Sequence, residues 1–430
     1  MDNFKNRYRK AFLTLMFSAT ARNTYAVFTG NFLSAFFAFI FTVILVRNLS
    51  VADFGYFSAF ISLMILVSDL SDIGIGSSLS SFLPPMEEKP NRLLSFLKTS
   101  FLLQFAISLA VLVFMMFLAP AISQILFHNL DFAMHVRLIG LAISFTIMSN
   151  FALFTLVARQ RFVQNAVLSA VGGIIRLILL LILLSAFSLT LIKTVQIQLI
   201  SQLLLVTFAF AMVKFNFLKV KVTPGDLKKL LSFTVFLGIA RGLTALSSRL
   251  DVLMIISIKN ATEAGIYSIA ARVISIYPLL SGSFSAVLAP KLSKIKTKPE
   301  FNSFLLKIIL ATFLLTLSTV GMILIAQPFL TVLFGQKAAP AVPVFRLLLV
   351  AMLFFVASVP AVSLSIYYLK KPQILTVNAV LQLIVVFFGN LYFIPKFGSF
   401  GAAYSLILSY GLTLVLTSMM AYITLRRKNG

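Results

Sequence analysis

Long apolar runs alternate along this chain with short clusters of basic residues, and this alternation limits the possible folds more than any other feature. The hydrocarbon core of a bilayer is about 30 Å thick, and a helix that crosses it needs about 20 apolar residues. Hydrophobic residues make up 60% of the 430 positions, and the mean hydropathy is +1.04. We therefore predict an all-α integral membrane protein.

Twelve apolar segments have about the length of a membrane-crossing helix. They are 24–46, 56–83, 93–118, 136–157, 163–184, 190–213, 232–257, 265–289, 302–325, 342–368, 373–395 and 401–424. Of the 36 Lys and Arg residues, 23 fall before the first segment, after the last, or in every second connection. The other connections hold only Arg47, Lys259, Lys337 and Lys396. Because basic loops remain in the cytoplasm, both termini are predicted to be cytoplasmic.

The two halves of the chain resemble each other. With a shift of 210 residues, segment 47–58 overlies segment 257–268, and their acid, glycine, aromatic and Ser coincide. Six helices per half is an even number, so the halves run in the same direction, as in transporters whose substrate path lies between parallel repeats. The predicted parts are a cytoplasmic basic N-terminus (1–23), a six-helix bundle (24–213), a cytoplasmic basic linker (214–231), a second six-helix bundle (232–424) and a cytoplasmic tail (425–430).

The composition argues against several kinds of chemistry. Cys is absent and only two His are present, so thiolate sites and His-based metal sites are not expected. No phosphate-binding loop of the G-x-x-x-x-G-K-[ST] type occurs, so the chain does not hydrolyse nucleotide by that route. The net charge of +25 is dispersed over loops on one side, where orientation and anionic headgroups explain it better than nucleic acid does. We predict no cofactor, no metal and no enzyme activity.

Basic residues inside the crossings are costly in lipid, so each is a candidate for the substrate pathway. Four Arg lie deep, two more lie near the external ends of their crossings, and the six are Arg249, Arg272, Arg241, Arg176, Arg346 and Arg137. Arg249 and Arg272 lie at one predicted depth, and a guanidinium forks onto phosphate oxygens. These residues are therefore predicted to bind a phosphate or diphosphate. The alternative for Arg249 is a buried ion pair with Asp251.

Three acids also lie within the crossings. Asp69 and Asp72 are three apart on one helical face, and Asp251 follows Arg249. A carboxylate in lipid is a candidate for loading a proton or Na⁺, so these three are predicted to couple transport to an ion gradient. The alternative is structural, with Asp69 capping a helix break near Gly74 or pairing with a deep Arg.

Several short motifs together resemble a known family. They are Asn31, Leu49–Phe57, Asp69–Ile75, Ser248–Asp251, Ala264–Tyr267 and Phe397–Ala403. Their order and spacing resemble the polysaccharide transporters, including the O-antigen flippases, of the multidrug/oligosaccharidyl-lipid/polysaccharide exporter superfamily. The resemblance covers nearly the whole chain.

This resemblance implies a V-shaped pair of six-helix bundles around a cation-lined cavity. It implies that the chain moves an undecaprenyl-diphosphate-linked oligosaccharide to the outer leaflet of the bacterial inner membrane by alternating access, coupled to an ion gradient. The implied partners are this lipid-linked oligosaccharide, membrane lipid and other polysaccharide assembly proteins. The first crossing contains no Arg, unlike that of the lipid II flippases, which disfavours lipid II as the substrate.

Two other functions remain open at this point. A small-molecule or drug antiporter of the same superfamily would need acids to dominate the lumen of both halves, which the deep Arg residues disfavour. A membrane-embedded glycosyl transferase or polymerase would need a long external loop with polar catalytic residues, and the longest polar connections are short.

Overall fold

The structure is a computed structural model that describes residues 19–281, 297–369 and 373–429. Within these residues every regular element is helical, and eleven segments are long and apolar enough to cross a membrane. The protein is therefore a multi-pass membrane protein built from α-helices, as the apolar runs predict.

Fourteen α-helices lie within the described residues. They are α1 (Ala19–Asn48), α2 (Val51–Ser71), α3 (Ile75–Phe82), α4 (Pro90–Phe127), α5 (Ala133–Ala158), α6 (Phe162–Ala186), α7 (Leu191–Val213), α8 (Asp226–Ile258), α9 (Ala261–Ile274), α10 (Lys298–Leu324), α11 (Ala326–Phe334), α12 (Val342–Ser363), α13 (Gln373–Phe397) and α14 (Ser399–Asn429). The described residues form two compact units. Unit 1 comprises residues up to Thr42 with Val67–Pro120 and Asp131–Arg241, and unit 2 comprises Val43–Leu66, Ala121–Leu130 and the described residues from Gly242 onward.

In unit 1, α5 packs against α3 and α7, and α7 packs against α6. The core is rich in aromatic rings: Phe101 lies 5.5 Å from Phe151 and 5.3 Å from Phe217, measured between ring centroids. Phe217 belongs to the predicted linker, so this part of the linker is packed into the core of unit 1 rather than lying free.

In unit 2, α12 packs against α9, α10 and α14, and α13 packs against α14. Two basic residues cap helix ends here. Arg47 donates hydrogen bonds from Nε and Nη2 to the carbonyl oxygens of Leu333 (3.0 Å) and Val332 (2.6 Å) at the end of α11. Lys337 donates to the carbonyl oxygens of Arg47 and Leu49, both at 3.2 Å, at the end of α1. Cations at these positions satisfy carbonyl groups that the helices leave without partners.

The second predicted crossing, 56–83, is wrong as one continuous helix. Helix α2 ends at Ser71 and α3 begins at Ile75. Between them Ile73 and Gly74 adopt positive φ angles of 37° and 88°. A right-handed helix cannot continue through such angles, which glycine adopts readily because it has no Cβ. The membrane-crossing part is Val51–Ser71.

The other predicted crossings agree with the structure, except for two that the described residues test only in part. The segment 232–257 lies within the long helix α8, part of whose side chains fall outside the description. The eighth predicted crossing, 265–289, extends beyond the described residues after Ser281. The total of twelve, the division into two six-helix bundles, the parallel repeat and the cytoplasmic termini stay predictions.

Helices α2 and α9 meet in unit 2 through two glycines. A Cβ on Gly55 would overlap the carbonyl oxygen of Ala261 and lie 2.8 Å from its carbonyl carbon. A Cβ on Gly265 would overlap the carbonyl oxygen of Val51 and lie 3.0 Å from its carbonyl carbon. The backbones can approach this closely only because both positions lack a side chain. The contact is reciprocal, since Gly55 and Val51 lie 210 positions before Gly265 and Ala261.

Candidate functional site

A cavity of about 110 Å³ lies in unit 2 between α2, α8 and α9. Its lining comprises Phe54, Phe57, Ser58, Ile61 and Ser62 of α2, Arg249 and Val252 of α8, and Ser268, Ala271, Arg272 and Ser275 at and just beyond the C-terminal half of α9. Arg249 and Arg272, the two residues predicted to share one depth, therefore lie on the same cavity.

Helical spacing explains why these residues meet. Along α2 the lining positions follow the i, i+3, i+4, i+7, i+8 pattern from Phe54, and from Ser268 they follow i, i+3, i+4, i+7. Such positions form one face of a helix. Arg249 and Val252 are likewise three apart on α8. One face from each helix thus lines the cavity, and the close glycine contact between α2 and α9 holds two of these faces together.

The lining is cationic and rich in hydroxyl groups. Among the described residues that line the cavity are two Arg and no acid. Ser268 is only 8% exposed, and its Oγ has no hydrogen-bond partner among the described residues. A buried hydroxyl without a hydrogen-bond partner costs free energy, and a bound ligand with an acceptor oxygen removes that cost. Two guanidinium groups and a free hydroxyl donor together can bind an anion with several oxygens, such as a phosphate.

Asp251 has different surroundings from Arg249. It is buried, and its carboxylate accepts hydrogen bonds from Tyr267 Oη at 2.6 Å and from Asn390 Nδ2 at 2.9 Å. Positions two apart on a helix do not face each other, and Asp251 does not line the cavity. These two neutral donors satisfy its oxygens on another side of α8, so the geometry disfavours the simple ion pair with Arg249 that the sequence allows.

The other predicted cations lie elsewhere. The Arg176 guanidinium lies over the ring of Phe41, 5.6 Å from its centroid, in unit 1. Arg137 and Arg346 are exposed on α5 and α12. None of these three lines the unit 2 cavity. Arg241 belongs to α8, but its side chain is outside the described part of the chain. For these four residues a role in binding substrate stays a prediction.

The two carboxylates at the end of α2 differ from each other. Asp69 is exposed, whereas Asp72 is buried. Asp72 Oδ1 accepts a hydrogen bond from the backbone N–H of Gly76 at 3.1 Å, in the first turn of α3. The capping role that the sequence suggests for Asp69 is filled by Asp72, because it is Asp72 that follows α2 directly and reaches the first turn of α3. Ion coupling by either residue stays a prediction.

Sequence reasoning missed several members of these sites. Tyr267 and Asn390 are neutral residues 16 and 139 positions away from Asp251 along the chain. Ser268 appears in the sequence only as part of the repeated motif. The repeated motif that contains Tyr267 and Ser268 was the one sequence feature that pointed to these two residues. No sequence feature pointed to Asn390.

Comparisons with known proteins agree with this architecture. The family described as "Polysaccharide biosynthesis protein" matches residues 20–296. A comparison with curated protein sequences finds no match. Among solved structures, the lipid II flippase MurJ in an inward closed conformation is similar with a TM-score of 0.75 and 17% identity, over 93% of this chain and 87% of that one.

Two multidrug transporters are similar as well. An inward-facing MATE family transporter of the MOP superfamily gives a TM-score of 0.73 with 12% identity, over 91% of this chain and 96% of that one. The MATE multidrug transporter DinF-BH, solved as a complex, gives a TM-score of 0.64 with 16% identity, over 92% of this chain and 93% of that one. These likenesses establish the fold. The chain belongs to the polysaccharide biosynthesis protein family and has the fold of the MOP superfamily transporters.

Proposed function

We propose that this chain is a flippase that moves an undecaprenyl-diphosphate-linked oligosaccharide, an O-antigen unit or a related surface polysaccharide repeat unit, across the bacterial inner membrane. The observation that carries this proposal is the cavity of unit 2, whose described lining includes Arg249 and Arg272 and no acidic residue. A site for cationic drugs would need the opposite charge. The similar structures include both a lipid II flippase and multidrug transporters, and the charge of the cavity favours the flippase.

The size of the cavity fits a headgroup rather than a whole substrate. Pockets for drug-sized ligands have volumes of about 300–1,000 Å³, whereas this cavity has about 110 Å³. In this conformation the two guanidinium groups can therefore reach a phosphate or diphosphate, and the sugars need additional space. Alternating access between two conformations supplies that space, with the polyprenyl chain remaining in lipid.

The reciprocal contact of Gly55 and Gly265 supports the predicted parallel repeat, because equivalent positions of the two repeated segments exchange places in it. With twelve crossings and both termini in the cytoplasm, each repeat would contribute one of the two helices in this contact. The same two helices, α2 and α9, supply most of the residues that line the cavity.

Transport coupled to an ion gradient is the energetic part of the proposal. Asp251 is the strongest of the three candidates, because it is buried in unit 2 and held by two neutral donors instead of a cation. Proton or Na⁺ loading on such a carboxylate changes the charge of unit 2 and shifts the balance between conformations that differ in affinity for the ion. Asp69 and Asp72 remain candidates in unit 1.

The test of the flippase is substitution of the cavity cations. Arg249→Ala and Arg272→Ala should each abolish complementation of a flippase-deficient strain while the protein level in the membrane stays near normal. Lys at either position should restore function only in part, since its ammonium lacks the bidentate fork. Lys307→Ala is the matched control, because it removes an exposed cation from α10 in the same unit and should complement fully. Full complementation by both Arg variants would contradict the proposal.

Ion coupling is tested separately in proteoliposomes with an imposed pH or Na⁺ gradient. Asp251→Asn, Asp69→Asn and Asp72→Asn are compared with the wild type for transport of a lipid-linked oligosaccharide. At least one variant should lose its response to one gradient while still binding substrate. If all three respond as the wild type does, these acids do not couple transport and the flippase proposal stands without them.

A further inference from the structure

A second cationic cavity lies in unit 1 and shares no lining residue with the unit 2 cavity. It has a volume of about 520 Å³, and its described lining contains Arg159, Arg161, Lys214 and a single acid, Glu87, together with Asn216 and apolar residues that include Phe217. Three cations against one acid leave a formal charge of +2. These residues belong to three connections that the charge pattern assigns to the cytoplasm: α3 to α4, α5 to α6, and α7 to α8.

A rigid turn fixes the two Arg residues of this cavity. The N–H of Gln160 donates to the carbonyl oxygen of Val157 at 2.9 Å, and the N–H of Arg161 donates to that of Leu156 at 2.8 Å. Gln160 between them has a φ of 55°. This is the Schellman arrangement at the end of a helix, which satisfies the last carbonyl groups. The turn therefore fixes the backbone of both Arg residues, and their side chains line the cavity.

The electrostatics of the turn favour an added anion. Burial and the nearby charge of Arg161 both lower the pKa of Arg159, and Glu87 offsets this only in part. Arg159 Nε is buried and has no hydrogen-bond partner among the described residues. A bound phosphate would offset the repulsion between Arg159 and Arg161 and accept a hydrogen bond from Arg159 Nε, because it supplies negative charge and several acceptor oxygens.

The linker forms the opposite wall and is itself fixed. Lys98 Nζ donates to the carbonyl oxygens of Leu218 (2.9 Å) and Val220 (3.0 Å). A little further on, Arg92 pairs with the buried Asp226 at 2.7 Å. Lys214 stands at the start of this wall with φ 61° and ψ 148°, a backbone conformation that suits glycine and is strained for lysine. The wall places an ammonium group at the edge of the cavity despite this strain.

An apolar groove adjoins the cavity at Lys214. It has a volume of about 530 Å³ and is lined by Lys214, Thr207 and four apolar residues of α7 and the linker, Val206, Phe210, Ala211 and Phe215. Phe215 stacks on Phe210 with ring centroids 5.0 Å apart. The groove lies on a surface of α7 that is rich in exposed apolar side chains such as Leu203 and Leu204. Lys214 thus stands between a charged cavity and a surface that suits a hydrocarbon chain.

We propose that this cavity and groove together bind an anionic phospholipid of the membrane, with its phosphate between Arg159, Arg161 and Lys214 and an acyl chain along the groove of α7. Charge complementarity selects the headgroup, and the continuity of the groove with the cavity at Lys214 selects a ligand that carries a chain. Free phosphate would use the cavity and leave the groove empty. Clusters of basic residues beside a crossing attract anionic lipids of the cytoplasmic leaflet, which gives the ligand at high local concentration.

The test is native mass spectrometry of the purified full chain in detergent, titrated with phosphatidylglycerol and, in parallel, with zwitterionic phosphatidylethanolamine. The wild type should prefer phosphatidylglycerol. Arg159→Gln and Arg161→Gln should each weaken its binding about tenfold or more, because each removes a charged hydrogen-bond donor. Lys221→Gln is the matched control: it removes an exposed charge from the same linker outside the cavity and should stay within about twofold of the wild type. Arg159→Lys, which keeps the charge, should bind between the wild type and Arg159→Gln.

The groove is tested with Ala211→Phe, which fills it without changing a charge. This variant should lose affinity for phosphatidylglycerol but keep the affinity of the wild type for inorganic phosphate. The proposal is overturned if Ala211→Phe binds phosphatidylglycerol normally, if the Arg variants bind as Lys221→Gln does, or if undecaprenyl phosphate binds in place of phosphatidylglycerol. Melting temperatures of all variants near that of the wild type exclude misfolding as the cause of lost binding.

Discussion

The contact between α2 and α9 gives the sharpest prediction about packing. In Gly55→Ala the new Cβ would lie 2.8 Å from the carbonyl carbon of Ala261 and from the backbone nitrogen of Gly265, and would overlap the carbonyl oxygen of Ala261. Ordinary contact begins at 3.4 Å, so the two backbones must separate by more than half an ångström. All three atoms are backbone atoms in or beside a helix, which no rotamer change can move aside.

Overpacking of this kind costs about 1–3 kcal/mol, and the rigidity of the obstructing atoms favours the upper end. Because the entropy of unfolding grows with chain length, for 430 residues this loss corresponds to a decrease of about 1–3 °C in melting temperature. The assay is thermal unfolding in detergent, with the wild type alongside. Gly265→Ala should show a similar decrease, and the double variant should lose less than the two single losses together, because both substitutions open one contact.

Gly321→Ala is the control, since a Cβ there meets nothing within 4 Å. It should leave the melting temperature unchanged or raise it, because Ala favours a helix over Gly by up to about 1 kcal/mol. If Gly55→Ala and Gly321→Ala both melt at or above the melting temperature of the wild type, α2 and α9 do not pack through their backbones. That result refutes the reasoning.

Three further predictions concern single contacts. Tyr267→Phe removes one of two donors to the buried Asp251 and should destabilise the protein by about 1.5–3 kcal/mol in thermal unfolding; an unchanged melting temperature would contradict the hydrogen bond. Asp72→Ala removes the acceptor for the N–H of Gly76 and should cost about 1 kcal/mol in the same assay, with Asp72→Asn retaining most of the stability. A reporter fused after Gly225 should read cytoplasmic, and an external reading would contradict an even number of crossings before it.

The sequence predicted the helices well because each crossing is a long apolar run and basic clusters mark every second connection. It also predicted that Arg249 and Arg272 lie at one depth, by counting residues to the external ends of two crossings, and both residues line the unit 2 cavity. The break after α2 was missed as a boundary, although Gly74 was noticed, because a glycine in an apolar run is compatible with a continuous helix and only the φ angles decide.

The contacts that complete the sites were not predictable from local pattern. Asn390 reaches Asp251 from 139 residues away, and Phe217 enters the core of unit 1 from a segment that its charge marked as a linker. The cavity with Arg159 and Lys214 depends on three connections that are far apart in the chain. Such juxtapositions arise from tertiary packing, and a single sequence without periodicity in its loops carries no signal for them.

The conformation of Lys214 implies a trade-off between stability and activity. Its backbone angles, φ 61° and ψ 148°, suit glycine, and holding lysine there costs about 1–3 kcal/mol. Lys214→Gly should therefore make the protein harder to unfold while removing an ammonium group from the edge of the cavity. A screen for thermostable variants would select this substitution and remove one cation of the proposed lipid site with it, as happens where function depends on a strained residue. Variants stabilised for structural work should keep lysine at this position.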